Sequence, residues 1–300
     1  KWGTTNTTVG ECVEYSFYDP GSYCLDGEPA DRAHAKMDRA LGDNYSLQYL
    51  LGSECTNLYE DHELFMHVPS NAMTFDSTSA FYDYCDKNAG KGMDLLEVFG
   101  GEGGVTKLCL RRRLLVGENV DLVTGTDLTQ KANAEQLLNF IKRHKPKIVV
   151  MGPPCTAFGP WANVNEWKHP ETYKRSLRTG TALGELAATI AEEQMAGGRH
   201  FLNENPAYSR LYDLPRWRKL RAKRDLIGWH DKVIFPQCAV GLKSVEGLPI
   251  QKKTELRSSA EELLAPFRDL ECNCTVRHLV LEGGAACKRA QVWPSRMCTE

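Results

Sequence analysis

Short apolar runs alternate with amphipathic stretches through the central part of the chain. Apolar runs of strand length occur at residues 93–99, 119–123, 148–151, 200–202 and 232–235. Helical patterns occur between them at residues 105–115, 132–144, 183–195 and 216–224. Strands that alternate with helices in this way predict an α/β fold with a doubly wound, mostly parallel sheet.

Three of the predicted strands end in loops whose residues are suited to chemistry. The first is followed by the glycine-rich stretch 100–104, where backbone N–H groups can approach a ligand closely. The strand predicted at 148–151 ends at Gly152-Pro153-Pro154-Cys155, which presents a thiol on a stiff loop. The strand predicted at 200–202 ends at Glu204-Asn205-Pro206. Because the carboxyl ends of parallel strands meet at one edge of a sheet, the sequence predicts one shared ligand site there.

Taken in this order, the three segments resemble the cytosine-5 DNA methyltransferase family. Residues 97–104 resemble its acidic-x-Phe-x-Gly-x-Gly cofactor motif, residues 152–155 its Pro-Cys nucleophile loop, and residues 204–206 are similar to its Glu-Asn-Val motif. The resemblance covers residues 92–240. It implies a Rossmann-like methyltransferase that uses S-adenosylmethionine to methylate carbon 5 of cytosine in DNA.

The resemblance implies catalytic roles for Cys155, Glu204 and Asn205. Cys155 would add to carbon 6 of a flipped-out cytosine, and Glu204 would polarise ring N3. Asn205 would orient Glu204 or hold the Cys155 loop. The alternatives are a small buried hydrophobe for Cys155, a helix-capping carboxylate for Glu204 and a turn former before Pro206 for Asn205.

A second set of residues is expected to bind S-adenosylmethionine. Glu97 would face the methionine ammonium or orient the loop. The expected lining residues are Phe99, Gly101, Gly103, Gly104 and Pro153.

In nucleoside-binding α/β folds, an acidic residue at the end of the strand that follows the first helix usually holds the ribose hydroxyls. In this chain that strand is predicted at residues 119–123. Asp121 is the first choice for this role and Glu118 the alternative. Asp127 resembles the family's next acidic position, which contacts the adenine amine. An ordinary solvated loop position is the alternative for both aspartates.

The chain departs from the family pattern in its catalytic region. Thr156 stands where the family has Gln, and Pro206 stands where it has Val. The family's Gln-x-Arg-x-Arg motif does not follow Gln237. The candidates for the missing arginine are Lys252, Lys253 and Arg257.

Another departure concerns the cofactor pocket. The helix that completes it in the family is expected to be missing from the C-terminal end, with a helix near residues 79–87 in its place.

Charge is distributed unevenly along the chain. Residues 1–93 hold 6 Lys and Arg against 15 Asp and Glu, a net charge of −9, so the remainder carries +7 of the total of −2. A basic section that also carries the motifs predicts a nucleic-acid partner, DNA first and RNA as the alternative. The candidate phosphate contacts are Lys174, Arg175, Arg178, Arg216, Arg218 and Arg221.

The first of these basic clusters lies in residues 168–180. By resemblance this is a mobile loop that closes over DNA, with Gly180 as its hinge. The alternative for both clusters is a solvated helix face.

Composition predicts an intracellular protein in a reducing compartment. Eleven cysteines in 300 residues are too few for a disulfide scaffold. No apolar run approaches the ~20 residues of a membrane span. Segments within 247–294 are similar to methyltransferase-like parts of eukaryotic mobile-element polyproteins, so we expect a nuclear location and a longer polyprotein or complex.

Three domains are predicted. Residues 1–91 would form an acidic extension with a helix at 29–41, residues 92–238 the catalytic core, and residues 239–300 a small irregular region. That last region is a candidate for target recognition or zinc binding. Its weak candidate ligands are Cys272, Cys274, His278 and Cys287. Reduced structural thiols are the alternative. A methyltransferase-like module that binds nucleic acid without catalysis is the alternative for the whole chain.

Overall fold

The computed structural model describes residues 92–112, 114–223, 232–244, 246–281 and 290–299, together with Asp83, Tyr84, Lys87, Cys287 and two strands nearer the N-terminus. Those two strands, β1 (Leu47–Leu50) and β2 (Ala72–Phe75), pair antiparallel. The helix predicted at 29–41 lies outside the described residues. Asp83, Tyr84 and Lys87, the described residues near the helix predicted around 79–87, are helical.

Six further strands and six α-helices have defined bounds among the described residues. The strands are β3 (Leu95–Val98), β4 (Val116–Val120), β5 (Ile148–Met151), β6 (His200–Pro206), β7 (Lys232–Pro236) and β8 (Lys253–Ser258). The helices are α1 (Gly104–Arg111), α2 (Lys131–His144), α3 (Ala162–Lys168), α4 (Pro170–Ala196), α5 (Pro215–Ala222) and α6 (Ser295–Thr299). Short 3₁₀ helices occupy Leu122–Thr124, Arg210–Asp213, Gln237–Val240, Glu261–Leu263 and Ala265–Phe267.

The strands form one sheet in the order β4-β3-β5-β6-β8-β7. Strands β4, β3, β5 and β6 are parallel, whereas β8 runs antiparallel to both β6 and β7. The α/β class and the mostly parallel sheet are therefore confirmed, and the arrangement is compatible with a Rossmann-like fold. Because β7 and β8 pair with each other, the domain boundary expected after residue 238 would divide a single sheet.

Strand residues alternate between the two faces of the sheet, and each face is covered by helices. Leu96 and Val149 point into a cluster with residues of α2, α4 and α5. Leu95 and Val150 point to the other face, toward α1 and the side chain of Trp293. This period of two, with apolar residues on both faces, is expected for strands buried between helix layers.

One strand and one helix begin earlier than their sequence patterns indicate. The strand predicted at 119–123 is Val116–Val120. It ends at Val120 because Asp121 leaves the strand and accepts a hydrogen bond from Val123 N at 2.9 Å at the start of a 3₁₀ helix. The helix predicted at 183–195 is Pro170–Ala196. Its start at Pro170 is favoured because proline lacks the N–H that a first helical residue leaves unpaired.

The early start of α4 overturns the expectation of a mobile loop at 168–180. Gly180 lies buried within the helix, and a Cβ there would lie 3.0 Å from the ring of Phe158. Its role is therefore close helix packing against the Cys155 loop rather than hinging.

The chain changes direction in the sheet between β3 and β5. After β3 it crosses to β4 on one side, and after β4 it returns to β5 on the other side of β3. Such a switch point leaves a crevice beyond the carboxyl ends of the two strands, and open α/β sheets bind ligands there. In the described part of the chain, no helix has the length and apolar character needed to cross a membrane.

Candidate functional site

A pocket lies at this crevice and brings together residues from distant parts of the chain. Its walls come from the loop after β3, the loop after β5, the end of β6, the start of β8 and the C-terminal segment. The lining residues are Glu97, Phe99, Gly100, Glu102, Gly104, Gly152, Pro153, Pro154, Cys155, Thr156, Glu204, Lys252, Gln291, Val292, Trp293 and Cys298. The three loops that the sequence singled out therefore share one site.

The loop after β3 is held against the first turn of α1 by Glu97. Its buried carboxylate accepts a hydrogen bond from Thr106 N at 2.7 Å. Burial raises the pKa of Glu97 to about 7, against the opposing effect of its hydrogen bonds from Thr106. Glu97 therefore orients the loop, one of its two predicted roles, while it also lines the pocket.

Gly100 allows this loop to pass close to its neighbours. A Cβ at Gly100 would lie 2.5 Å from both the Asn119 side-chain oxygen and the Glu97 side chain. Asn119 spans the turn, because its Oδ1 accepts from Gly100 N at 3.2 Å and its Nδ2 donates to Gly101 O at 2.7 Å. Gly101 and Gly103 have φ values of +52° and +68° and shape the turn without lining the pocket.

Asp121 supports the glycine loop from the end of β4. Its Oδ2 accepts a hydrogen bond from Gly101 N at 3.0 Å. Burial raises the pKa of Asp121 to about 6. Asp121 lies at the end of β4, as predicted. Its carboxylate, however, contacts the glycine loop and is not among the pocket residues.

The other two acidic candidates also lie away from the pocket lining. Glu118 is buried, its two carboxylate oxygens have no hydrogen-bond partner among the described residues, and burial raises its pKa well above the ordinary value. Asp127 accepts from Thr129 N at 2.9 Å and from Gln130 Nε2 at 3.3 Å in the turn before α2. For Asp127 the structure matches the alternative of a loop residue.

The Cys155 loop is held in place by Asn205. The buried Asn205 Nδ2 donates to Pro153 O at 3.0 Å, so β6 fixes the turn that follows β5. Cys155 O accepts from Phe158 N at 2.9 Å and from Gly159 N at 2.8 Å, which closes a tight turn after the cysteine. Of the two roles expected for Asn205, the structure shows the one that holds this loop.

Glu204 contacts two side chains, one from Lys252, which directly precedes β8, and one from Thr254 within β8. Lys252 Nζ lies 3.4 Å from Glu204 Oε1, and Thr254 Oγ1 donates to the same oxygen at 3.3 Å. Lys252 also donates to Ala290 O at 3.0 Å. The antiparallel pairing of β8 with β6, with Thr254 opposite Pro206, places both side chains at the pocket.

The structure distinguishes the three candidates for the missing arginine. Lys252 lines the pocket, whereas Lys253 is exposed outside the lining. Arg257 pairs with Glu255, with its Nη2 2.6 Å from Oε1, and its guanidinium lies 3.8 Å above the ring centre of Tyr212. Lys252 is therefore the cation that accompanies Cys155 and Glu204.

The reactivity of Cys155 depends on the charges around it. Burial raises the pKa of the Cys155 thiol, the positive charge of Lys252 lowers it, and the negative charge of Glu204 raises it. At neutral pH the thiol is therefore mainly protonated, and Lys252 favours the reactive thiolate.

We expect replacement of Lys252 by methionine to slow alkylation of Cys155. Loss of the positive charge raises the thiol pKa further, so the rate at pH 8 should fall by about 3- to 10-fold. Glu204→Gln should act in the opposite sense, because it removes the charge that disfavours the thiolate. The rate is measured with iodoacetamide across pH 7 to 10 by mass spectrometry of the Cys155 peptide.

Lys253→Met is the matched control, because it removes the same charge from the next, exposed residue. Equal slowing by Lys253→Met and Lys252→Met would show that Lys252 has no local effect on Cys155.

The C-terminal segment forms a further wall of the pocket. Gln291, Val292, Trp293 and Cys298 line it, and α6 is tied to α1 by a hydrogen bond of 3.1 Å from Arg112 Nη2 to Thr299 O. The expectation that no C-terminal helix completes the pocket is therefore wrong. Sequence reasoning missed α6 because it is only five residues long.

The basic candidates divide into two groups along α4. Lys174 and Arg178 are exposed near its first turns, and Arg175 is partly buried. This end adjoins the pocket loops, because Arg210 Nη2 donates to Tyr173 Oη at 3.0 Å and Arg210 N donates to Phe158 O at 3.0 Å.

The second group lies on α5, beside the later turns of α4. Arg216 lies 3.5 Å from Glu185 and 3.4 Å from Glu192, so its charge is already paired within the protein. Arg218 and Arg221 are exposed. Lys174 is paired as well, with its Nζ 2.8 Å from Glu171 Oε1. The two groups therefore differ in their distance along α4 from the pocket loops and not in whether they contain paired charges.

Three exposed aromatic side chains follow the pocket segments along the chain. Trp161 (50% exposed) and Trp167 (79%) follow the Cys155 loop, and Tyr208 (75%) follows β6. Large exposed aromatics offer stacking surfaces for nucleic-acid bases. Sequence reasoning did not select them, although Trp161 and Tyr208 stand within six residues of Cys155 and Glu204.

A group of potential metal ligands lies outside the pocket. Cys238, Cys272, Cys274 and His278 bring one ligand atom each to within 4.8 Å of one another. This Cys₃His group could hold a metal ion such as zinc. Three of the four predicted candidates belong to this group, and Cys238 takes the place of Cys287. The sequence signal that could have identified Cys238 is its position two residues after the end of β7.

Comparison of the sequence with protein-family models and with curated proteins found no match.

Proposed function

We propose that this protein transfers a methyl group from S-adenosylmethionine to carbon 5 of cytosine in DNA. The observation that carries the proposal is the convergence of Cys155, Glu204 and Lys252 in one pocket with the glycine loop after β3. The mostly parallel sheet is compatible with a Rossmann-like methyltransferase, and the pocket lies at its switch point.

Cys155 acts as the nucleophile in this proposal. Its sulfur bonds to carbon 6 of the ring, and the electron pair of the 5,6 double bond makes carbon 5 nucleophilic toward the methyl carbon. Loss of the carbon-5 proton to a base then expels the thiolate and restores the double bond. Lys252 favours the thiolate at the start and again when it leaves.

Glu204 polarises the ring at N3, while Cys155 adds at carbon 6. The Glu204 carboxyl group would share a proton with ring N3 in a hydrogen bond, which withdraws electrons from carbon 6. Thr254 and Lys252 hold its Oε1, which leaves Oε2 to face the base. Asn205 contributes indirectly, because it holds the loop that carries Cys155.

The glycine loop fits the proposed cofactor. S-adenosylmethionine, when bound, would supply the methyl group from its sulfonium, with the electron pair of the broken C–S bond kept by the sulfur of the departing thioether. The Glu97 carboxylate lines the pocket and can accept a hydrogen bond from an ammonium, while Gly100 lets the loop pack closely against the Asn119 and Glu97 side chains. Asp121 keeps this loop in place by accepting from Gly101 N.

The surroundings of the pocket favour a nucleic acid as the substrate. A base can react in this pocket only after it leaves the duplex, and aromatic residues stabilise the unstacked state. Trp161, Trp167 and Tyr208 supply such surfaces, and the exposed Arg178 adds positive charge on α4, where Lys174 is paired with Glu171. The aromatic side chains support stacking of bases, and the positive charge supports contact with the phosphate backbone.

The proposal is tested by methyl transfer from S-adenosylmethionine labelled in its methyl group. We expect label to enter duplex DNA and to be absent from matched DNA in which 5-methylcytosine replaces every cytosine, because carbon 5 is then blocked. Label in DNA of both kinds would contradict cytosine carbon 5 as the target.

The same assay distinguishes the two rival functions. Transfer to RNA alone would identify an RNA cytosine-5 methyltransferase. Transfer to neither, with S-adenosylmethionine bound in calorimetry, would identify a module that binds without catalysis. A folded protein that fails to bind the cofactor would refute the assignment of the glycine loop.

A further inference from the structure

We propose that Cys238, Cys272, Cys274 and His278 bind one zinc ion, and that this ion holds the turn that supports Glu204. The proposal does not depend on methyl transfer, because the ligands lie outside the pocket lining. It assigns a second site to the chain and gives that site a structural task.

The ligand set has the composition and spacing of a closed zinc site. Cys272 Sγ lies 3.2 Å from His278 Nε2, and the four ligand atoms lie within 4.8 Å of one another. Tetrahedral zinc with bonds of about 2.3 Å to sulfur separates its sulfur ligands by about 3.8 Å, so small side-chain shifts suffice. Three thiolates and one imidazole fill all four positions, which is typical of a structural rather than a catalytic site.

The segment that supplies three of the ligands has little else to hold it. Residues 271–278 contain no helix or strand, and most of their side chains are exposed. Just beyond them, Leu279 N donates to Pro249 O at 2.8 Å, and Leu279 packs on a small cluster with Leu242 and Ile250. With so little apolar burial, a metal crosslink to Cys238 would supply most of the order of this segment.

Cys238 links the ion to the pocket. It lies in the 3₁₀ helix Gln237–Val240, where Gln237 is fully buried. Gln237 Nε2 donates to Thr254 Oγ1 at 2.8 Å, and Thr254 Oγ1 donates to Glu204 Oε1 at 3.3 Å. Gln237 N also donates to Lys252 O at 2.8 Å. The ion would thus fix the turn from which both partners of Glu204 are positioned.

The test is metal content of the full chain, stripped with a chelator and reconstituted with zinc or cobalt. We expect one zinc ion per chain after removal of excess metal, and a cobalt absorption spectrum with the sulfur-to-metal bands of three thiolates. Cys272→Ser and Cys274→Ser should lower zinc affinity by at least about 100-fold. They should also speed proteolysis within residues 271–281.

Cys287→Ser is the matched control, because Cys287 is a half-buried thiol near the C-terminus that lies outside the ligand group. It should retain the full zinc content and the cobalt spectrum. If a Cys272 or Cys274 variant does not fold, the cobalt spectrum of the unmodified chain decides the matter. Failure of that chain to retain either metal, or equal loss of zinc from Cys287→Ser, would overturn the proposal.

Discussion

Replacement of Cys155 by alanine should abolish the covalent complex that the unmodified protein forms with DNA containing 5-fluorocytosine. Fluorine at carbon 5 prevents the last elimination, so the bond between Cys155 Sγ and carbon 6 persists through denaturation. Without the sulfur this bond cannot form, and methyl transfer to ordinary DNA should fall by at least about 10³-fold. The complex is measured by denaturing electrophoresis in the presence of S-adenosylmethionine.

Cys287→Ala provides the control for this experiment. Cys287 lies close enough to influence the pKa of Cys155, so it is a neighbouring thiol against which the assignment of the nucleophile can be checked. The control should form the complex as the unmodified protein does. A complex that survives in Cys155→Ala and disappears in Cys287→Ala would identify Cys287 as the nucleophile.

Replacement of Gly100 by alanine should disrupt cofactor binding more than it lowers stability. The new methyl group would lie 2.5 Å from the Asn119 and Glu97 side chains, both of which fix the glycine loop. We expect a loss of about 1–3 kcal/mol in the free energy of unfolding, because the loop must shift. Affinity for S-adenosylmethionine should fall by at least about 10-fold, measured by calorimetry beside urea unfolding.

Gly198→Ala separates the two effects. Gly198 has a φ of +67° and follows α4, far from the pocket, with no atom within 4 Å of the added Cβ. It should cost about 1 kcal/mol through backbone strain and leave cofactor affinity unchanged. If Gly100→Ala does not fold, Glu97→Gln replaces it, because the amide oxygen can still accept from Thr106 N. Unchanged affinity in Gly100→Ala, or in Glu97→Gln as its replacement, would refute the loop as the cofactor site.

Local pattern was sufficient to place the strands that carry the site. The apolar runs before Gly100, Gly152 and Glu204 are short, buried on both faces and bounded by Gly or Pro, so their positions follow from composition alone. The beginnings of β4 and α4 were less predictable. Val116-Gly117-Glu118 lacks a plain apolar run, and the basic start of α4 has the composition of a loop.

Site roles that depend on partners far along the chain were the hardest to predict. Lys252, Lys253 and Arg257 were equivalent candidates by composition, and the pairing of β8 with β6 selected Lys252. Asp121 was found at the predicted strand end, but its carboxylate faces Gly101 N instead of the pocket. Patterns within a few residues do not contain such contacts, because they arise only when separate segments pack together.

The sequence by itself determined the α/β class, the order of the three loops, and Cys155 and Glu204 as the residues that share the pocket. Hydrophobic periodicity and glycine-rich or proline-rich strand ends act over short distances, so they can be read directly from the chain. Only the tertiary structure decided that Lys252 accompanies Glu204, that Cys238 joins the metal ligands and that Trp293 lines the pocket. Each of these depends on contacts between residues distant in sequence, which the antiparallel insertion of β8 and the return of the C-terminal segment create.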